Sequence, residues 1–216
     1  MELYHVLNRG VDKRNIFLEN GDRIRFIHDM YEFNDKTQAM NTLRRLEMND
    51  FVSRSFREQV VEIHGWCLMG NHYHLLLSEL VEGGLTLFIR RLNIGYAKYF
   101  NEKYKREGTL FQGRTKKIRI ASEPHFLHIL HYIHLNPLDL TKAKSWRSLE
   151  IRDAEAARNF LETYRWSSYQ DYCGKKNFPS LISTELFKDV FKDYAKTIWA
   201  YLKDIELSDI QPLLLE

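Results

Sequence analysis

The chain has 216 residues, of which 44% are hydrophobic and 28% charged, with only 10 Gly and 4 Pro. This composition excludes wholesale disorder, collagen-like repeats and low complexity, and the length suits one domain with an appendage or two small domains. The net charge of +3, from 32 Lys and Arg against 29 Asp and Glu, does not define a partner by itself.

From the N-terminus, MELYHVLNRG lacks a basic lead followed by an apolar stretch, so no secretory signal is expected. No apolar run approaches bilayer-spanning length. The two cysteines, Cys67 and Cys173, lie far apart, which predicts no disulfide framework and a reducing, cytoplasmic setting.

Leu3 to Leu7 reads as a short strand, with Asn8-Arg9-Gly10 as the turn that ends it. Asp22 to Phe33 has helical spacing, with Ile24, Ile27, Met30 and Tyr31 on one side and Asn20 as a cap. Residues 35–57 are charged and mixed, with a helix expected over Ala39 to Met48. Val60 to Met69 is rich in β-branched and aromatic side chains, Gly70-Asn71 turns the chain, and His72 to Leu77 is its antiparallel partner. Leu85 to Lys103 is the clearest helix, and Lys116 to Ala121 alternates like a strand with one wet face.

Ser122 then caps a helix whose first turn holds Glu123 and Pro124, and whose buried side is Phe126, Ile129, Leu130 and Ile133. Pro137 should stop it near Asn136. The order strand, helix, strand, strand, helix, strand, helix predicts an α+β protein with a ferredoxin-like antiparallel sheet and one added helix. Residues 1–140 form this core. Residues 141–216 form a mostly helical C-terminal extension, including Glu150 to Tyr164, helices within Ser183 to Lys203 and a loose end over Asp209 to Glu216.

Charge is unevenly spread. Between Leu85 and Arg119 stand Arg90, Arg91, Lys98, Lys103, Lys105, Arg106, Arg114, Lys116, Lys117 and Arg119, against the acids Glu102 and Glu107. Such a band attracts a polyanion and makes binding salt-dependent, but charge alone leaves DNA, RNA, a membrane surface and an ordinary solvated face open.

Two residue pairs carry chemistry. His72 and His74 flank one residue of a predicted strand, so both imidazoles share a face and are expected to look out while Tyr73 and Leu75 pack the core. Tyr132 and Asn136 share a helix face at i and i+4. An amide oxygen is a ligand for a hard or borderline cation, and a phenol becomes a nucleophile when its proton is removed. Each pair alone is also compatible with surface or capping roles. If the pairs converge, they leave open positions on a cation for the oxygens of a scissile phosphate.

The run Met69-Gly70-Asn71-His72-Tyr73-His74-Leu75-Leu76-Leu77, preceded by Trp66-Cys67-Leu68, resembles the core of the single-tyrosine HUH transposases of the IS200-like superfamily, above all the REP-associated tyrosine transposases. Tyr4 to Gly10, Gly108 to Arg114, Tyr132 to Pro137 and Tyr164 to Tyr169 match in the same order, so the resemblance spans roughly residues 3–174. Gly70 departs from it, standing where many relatives have Pro. The resemblance implies the HUH endonuclease fold, His72, His74 and Asn136 as metal ligands, and Tyr132 as the catalytic nucleophile. It implies cleavage of single-stranded DNA with Mg²⁺ or Mn²⁺, leaving a 5′-phosphotyrosine and a free 3′-OH, followed by strand transfer.

By the same resemblance the partners are single-stranded DNA and DNA hairpins, and no membrane. Asn8 and Arg9 stand where the family contacts DNA, and Arg90, Arg91, Arg114, Lys116, Lys117 and Arg119 supply further positive surface. An autonomous dimeric insertion-sequence transposase, and a hairpin-binding protein with an idle nuclease, are the competing readings. A hydrolase using activated water would need a general base where Tyr132 stands. Monomer and homodimer stay open. Of the remaining histidines, His128 lies four before Tyr132 and could edge the site, whereas His64, His131 and His134 read as packing or surface residues.

Overall fold

The computed structural model describes residues 2–37, 57–141, 146 and 153–204. Four strands form one antiparallel sheet: β1 (Leu3–Arg9), β2 (Val61–Leu68), β3 (His72–Glu79) and β4 (Lys116–Arg119), in the spatial order β2-β3-β1-β4. With α1 (Asn20–Glu32) after β1 and α2 (Gly84–Lys103) after β3, this is the α+β arrangement expected from the alternation of elements. The expected helix over Ala39–Met48 and the loose end over Asp209–Glu216 lie outside the described residues. Among the described residues, no helix is long and apolar enough to cross a membrane.

The sheet is covered on both faces. Tyr73, Leu75 and Leu77 of β3, Val6 of β1 and Trp66 and Leu68 of β2 pack with Phe26 and Met30 of α1 and Phe88, Leu92 and Tyr96 of α2. Each large apolar side chain fully buried here contributes on the order of 1.5–3 kcal/mol. Leu76, Cys67 and Leu3 face the other way, against Ile129, Leu130 and Ile133 of α3 (Glu123–Leu135) and against the C-terminal extension. The expectation that the histidine face of β3 looks out is therefore corrected. A second helical layer lies on it, and His74 is completely buried.

Three local departures from the sequence reading have physical causes. β1 runs on through Asn8 and Arg9, which pair with Tyr73 and His72. In α1, Ile24 and Tyr31 are exposed, whereas Phe26 joins Ile27 and Met30 on the buried side. Phe26 meets the rings of Phe17, Tyr73 and Tyr96 at 5.0–5.3 Å, and seating this fully buried ring sets the rotation of the helix. In β2 the register against β3 shifts between Ile63 and Gly65. This bulge carries one extra residue and re-aims the side chains beyond it.

The extension begins with α4 (Ala154–Thr163), capped by Asp153, whose carboxylate accepts from the Ala156 N–H at 2.9 Å. Trp166 to Ser168 then lies along the outer edge of β2. Leu68 N–H donates to Trp166 O, and Ser168 N–H donates to Trp66 O. That edge is therefore not open for pairing with another chain. Among the described residues three further helices follow: α5 (Tyr169–Tyr172), α6 (Glu185–Lys188) and α7 (Tyr194–Asp204).

Candidate active site

Strand pairing brings the chemistry of three strands to one face. Antiparallel partners share a face, and β1 pairs Leu7 with His74 and Arg9 with His72. The imidazoles of His72 and His74 stand 4.9 Å apart, centroid to centroid, at 85°. His5, one step diagonally from His74, stacks on it at 5.2 Å, with His5 Nε2 2.9 Å from His74 Nδ1. His72 Nδ1 lies 2.6 Å from the Asn71 amide oxygen. Because that oxygen only accepts, His72 carries its proton on Nδ1 and its lone pair on Nε2, the form that can bind a cation.

Opposite this face runs α3. Ser122 Oγ accepts from the His125 N–H, and Pro124 occupies the first turn, so the helix starts as its sequence dictates. A Cβ built on Gly65 would stand 3.0 Å from Leu130 Cδ1. The missing side chain lets α3 lie close on the sheet. Tyr132 is thereby held with its ring centroid 5.7 Å from His74 and 5.8 Å from His5, nearly perpendicular to both. Trp146 flanks it at 6.0 Å, and only 6% of Tyr132 is exposed. Asn136 is fully buried at the helix end, and its Nδ2 donates to the Tyr132 carbonyl at 2.8 Å. One strand and one helix of the same chain thus bring Tyr132 beside the histidine pair.

The rear of α3 is fixed by the extension. The Tyr194 hydroxyl of α7 bridges His131 Nδ1 at 3.1 Å and His134 Nδ1 at 2.7 Å. His134 Nε2 meets Ser168 Oγ at 2.7 Å, and Ser168 Oγ accepts from the Trp66 N–H of β2. A polar chain therefore links α7, α3 and the sheet. Burial, with the neighbouring His128 adding to it, pushes His131 down to about 3. Burial also drives His134 well below the usual histidine range. Both are neutral packing residues, as their spacing on the helix leads one to expect, and His64 is likewise a buried sheet residue, 2.8 Å from Ser78 Oγ. The His128 ring lies 5.8 Å from that of Tyr201 of α7, tilted at 46° to it.

The basic side chains divide between the two faces. Arg9 and Lys116 stand in register with His72 and Leu7, on the histidine face. The exposed Arg9 donates from Nε to Gln112 Oε1 at 2.7 Å. Lys117 and Arg119 point the other way. Lys117 Nζ donates to Thr86 of α2, and Arg119 pairs with Glu2. Arg91 binds the Asp35 and Lys36 carbonyls, while Arg90 and Arg114 are exposed. Asn8 is buried, with its Nδ2 donating to Thr115 Oγ1 at 2.9 Å, so it braces the end of β1.

Among the described residues no group of three or more His, Cys, Asp and Glu side chains is placed to hold a metal ion. The donor set to be weighed is therefore two imidazoles and an amide. In chemical type, two imidazoles and an amide oxygen suit a borderline cation that keeps coordination positions for other oxygens. His5, Gln112 and Tyr194 have structural places here that sequence reading did not assign. His5 lay within a matched run, and its alternation with Leu7 and Arg9 was the available signal.

The family model described as "Transposase IS200 like" matches residues 26–136, just over half of the chain. Among solved structures, the chain is similar to a REP-associated tyrosine transposase bound to a REP hairpin. Identity is 12%, with 84% of this chain and 85% of that chain covered and a TM-score of 0.48. No curated protein matches.

Proposed function

The chain belongs to the IS200-like transposase family, and from that premise we propose that it is a metal-dependent endonuclease and strand transferase for single-stranded DNA at the foot of REP-type hairpins. The observation that carries this reading is the Tyr132 ring set 5.7 Å from His74 within one chain. The REP-associated type rests on the motif run 69–77 with the downstream Tyr164-Arg165-Trp166-Ser167-Ser168-Tyr169.

In this reading Tyr132 Oη attacks the scissile phosphorus. The new O–P bond replaces the bond to the 3′ oxygen, leaving a 5′-phosphotyrosine and a free 3′-OH. The phenol loses a proton and the departing oxygen gains one. Attack by a 3′-OH on the tyrosyl phosphate reverses the sequence and reseals DNA, so no external energy source is needed. A bound Mg²⁺ or Mn²⁺, held by His72, His74 and Asn136, would supply Lewis acidity to the phosphate oxygens.

Arg9 and Lys116 are the basic residues best placed to bind phosphates beside the site, because they share its face. Asn8 braces their strand, Arg90, Arg91 and Arg114 belong to a wider positive surface for the hairpin, and Lys117 and Arg119 face away from the site. Residues 1–140 act as the nuclease core, and within the extension 141–216 Tyr194 and Ser168 hold α3 from behind. The test is to incubate the protein with labelled hairpins carrying a single-stranded foot, with Mg²⁺ or Mn²⁺. A DNA–protein band on a denaturing gel is expected. Tight hairpin binding with no cleavage under any divalent cation would leave a binding protein only.

A further inference from the structure

His5 lies wholly buried on β1, in no position to touch solvent. Its Nε2 is 2.9 Å from His74 Nδ1, and the two rings stack within 16° of parallel. One of these nitrogens must donate and the other accept. His72 provides the comparison: its Nδ1 is engaged by the Asn71 amide oxygen, which fixes its lone pair on Nε2. If His5 Nε2 accepts from His74, the same tautomer is imposed on both histidines of the pair. If it donates, the lone pair of His74 sits on Nδ1, buried against His5.

We propose that His5 is a positioning residue for the metal ligand His74, accepting the Nδ1–H of His74 on its Nε2 and so presenting the His74 Nε2 lone pair to a divalent cation. The inference rests on the metal site proposed above. His5 is suited to the task because it is held from both sides. The flanking β1 residues Leu3 and Leu7 are buried, and the Tyr132 ring meets it edge-on at 5.8 Å. A ligand imidazole held through its second nitrogen loses fewer orientations on binding, and loss of such a partner typically weakens metal affinity about 10–100-fold. His5 also touches Tyr132 and His74 together, so one side chain fixes the distance between nucleophile and ligand.

The tests use full-length protein. Two-dimensional ¹⁵N spectra of the imidazoles, recorded without metal above the titration range of histidine, report the tautomer of His74 directly. His74 should carry its proton on Nδ1; a proton on Nε2 in the wild type would overturn the proposal. Mn²⁺ affinity is then measured by calorimetry for wild type, His5→Leu, His5→Gln and His72→Ala. His5→Leu should bind about 10–100-fold more weakly, while His5→Gln, whose side-chain oxygen can accept the same proton, should stay within about threefold of wild type. Equal affinity in wild type and His5→Leu, with loss in His72→Ala, would remove His5 and leave the metal site standing. Equal affinity in wild type and His72→Ala would instead remove the metal site itself. Should His5→Leu fail to fold, the wild-type tautomer and His5→Gln still decide the matter.

Discussion

Tyr132 and His74 lie edge to face, with ring centroids 5.7 Å apart and planes at 88°. One comes from a helix and the other from the strand beneath it, so their distance depends on how closely helix and sheet can pack. That dependence makes the account testable at residues that never touch DNA.

Replacing Tyr132 by Phe keeps the ring that packs against Trp146 and His5 and removes only the phenolic oxygen. Cleavage and covalent adduct should fall to background on a denaturing gel. The thermal midpoint should stay within a few degrees of wild type, and hairpin affinity within about threefold.

Gly65 sets the approach of α3, because a Cβ there would meet Leu130 Cδ1 at 3.0 Å. Alanine requires a small movement of the end of a flexible side chain, whereas valine must push the helix. Gly65→Val should lower the cleavage rate about tenfold or more and weaken Mn²⁺ affinity by less than that, since His72 and His74 stay on the strand while only Asn136, at the end of the helix, is displaced. Parallel losses in rate and affinity would mean that the sheet itself had been disturbed.

Burial holds His131 at about 3 and His134 well below the usual range, so the folded chain declines protons that the unfolded chain accepts. Stability is then full above about pH 6.5 and falls as pH drops from there toward 3, by about 1.4 kcal/mol per pH unit for each such histidine. His131→Phe removes one of these sites. Its thermal midpoint should fall less between pH 7.5 and pH 5 than that of wild type, as followed by circular dichroism.

Sheet register separates the basic residues into those beside the site and those behind it. Lys116→Ala should reduce the salt dependence of hairpin binding by about one unit of log–log slope, whereas Arg119→Ala, already paired with Glu2, should change it little. Filter-binding titrations across a salt series measure both. An effect at Arg119 with none at Lys116 would place the DNA on the opposite face.

Much of this was legible because local rules and global fold agree. Ser122 and Pro124 start α3, Pro137 follows its end, and period-two spacing puts His72 and His74 on one face. Other features were hidden. The bulge in β2 follows from side-chain packing on two faces, and no residue type announces it. Part of the cover over the histidine face comes from residues more than a hundred positions away, so a pattern read as half-wet belongs to a buried strand. The pairing of His5 with His74 depends on the register of β1 against β3, which turn residues alone did not specify. The rotation of α1 followed Phe26, and apolar spacing alone favoured Ile24 and Tyr31.

The most direct measurement is the site of covalent attachment. The protein is incubated with a hairpin bearing a single-stranded foot and Mn²⁺, the DNA is trimmed with nuclease, and the digested protein is mapped by tandem mass spectrometry. The account predicts a nucleotide joined through its 5′ phosphate to Oη of Tyr132. Cleavage with the nucleotide on another residue, or with both DNA ends released and no adduct at any time point, would contradict it.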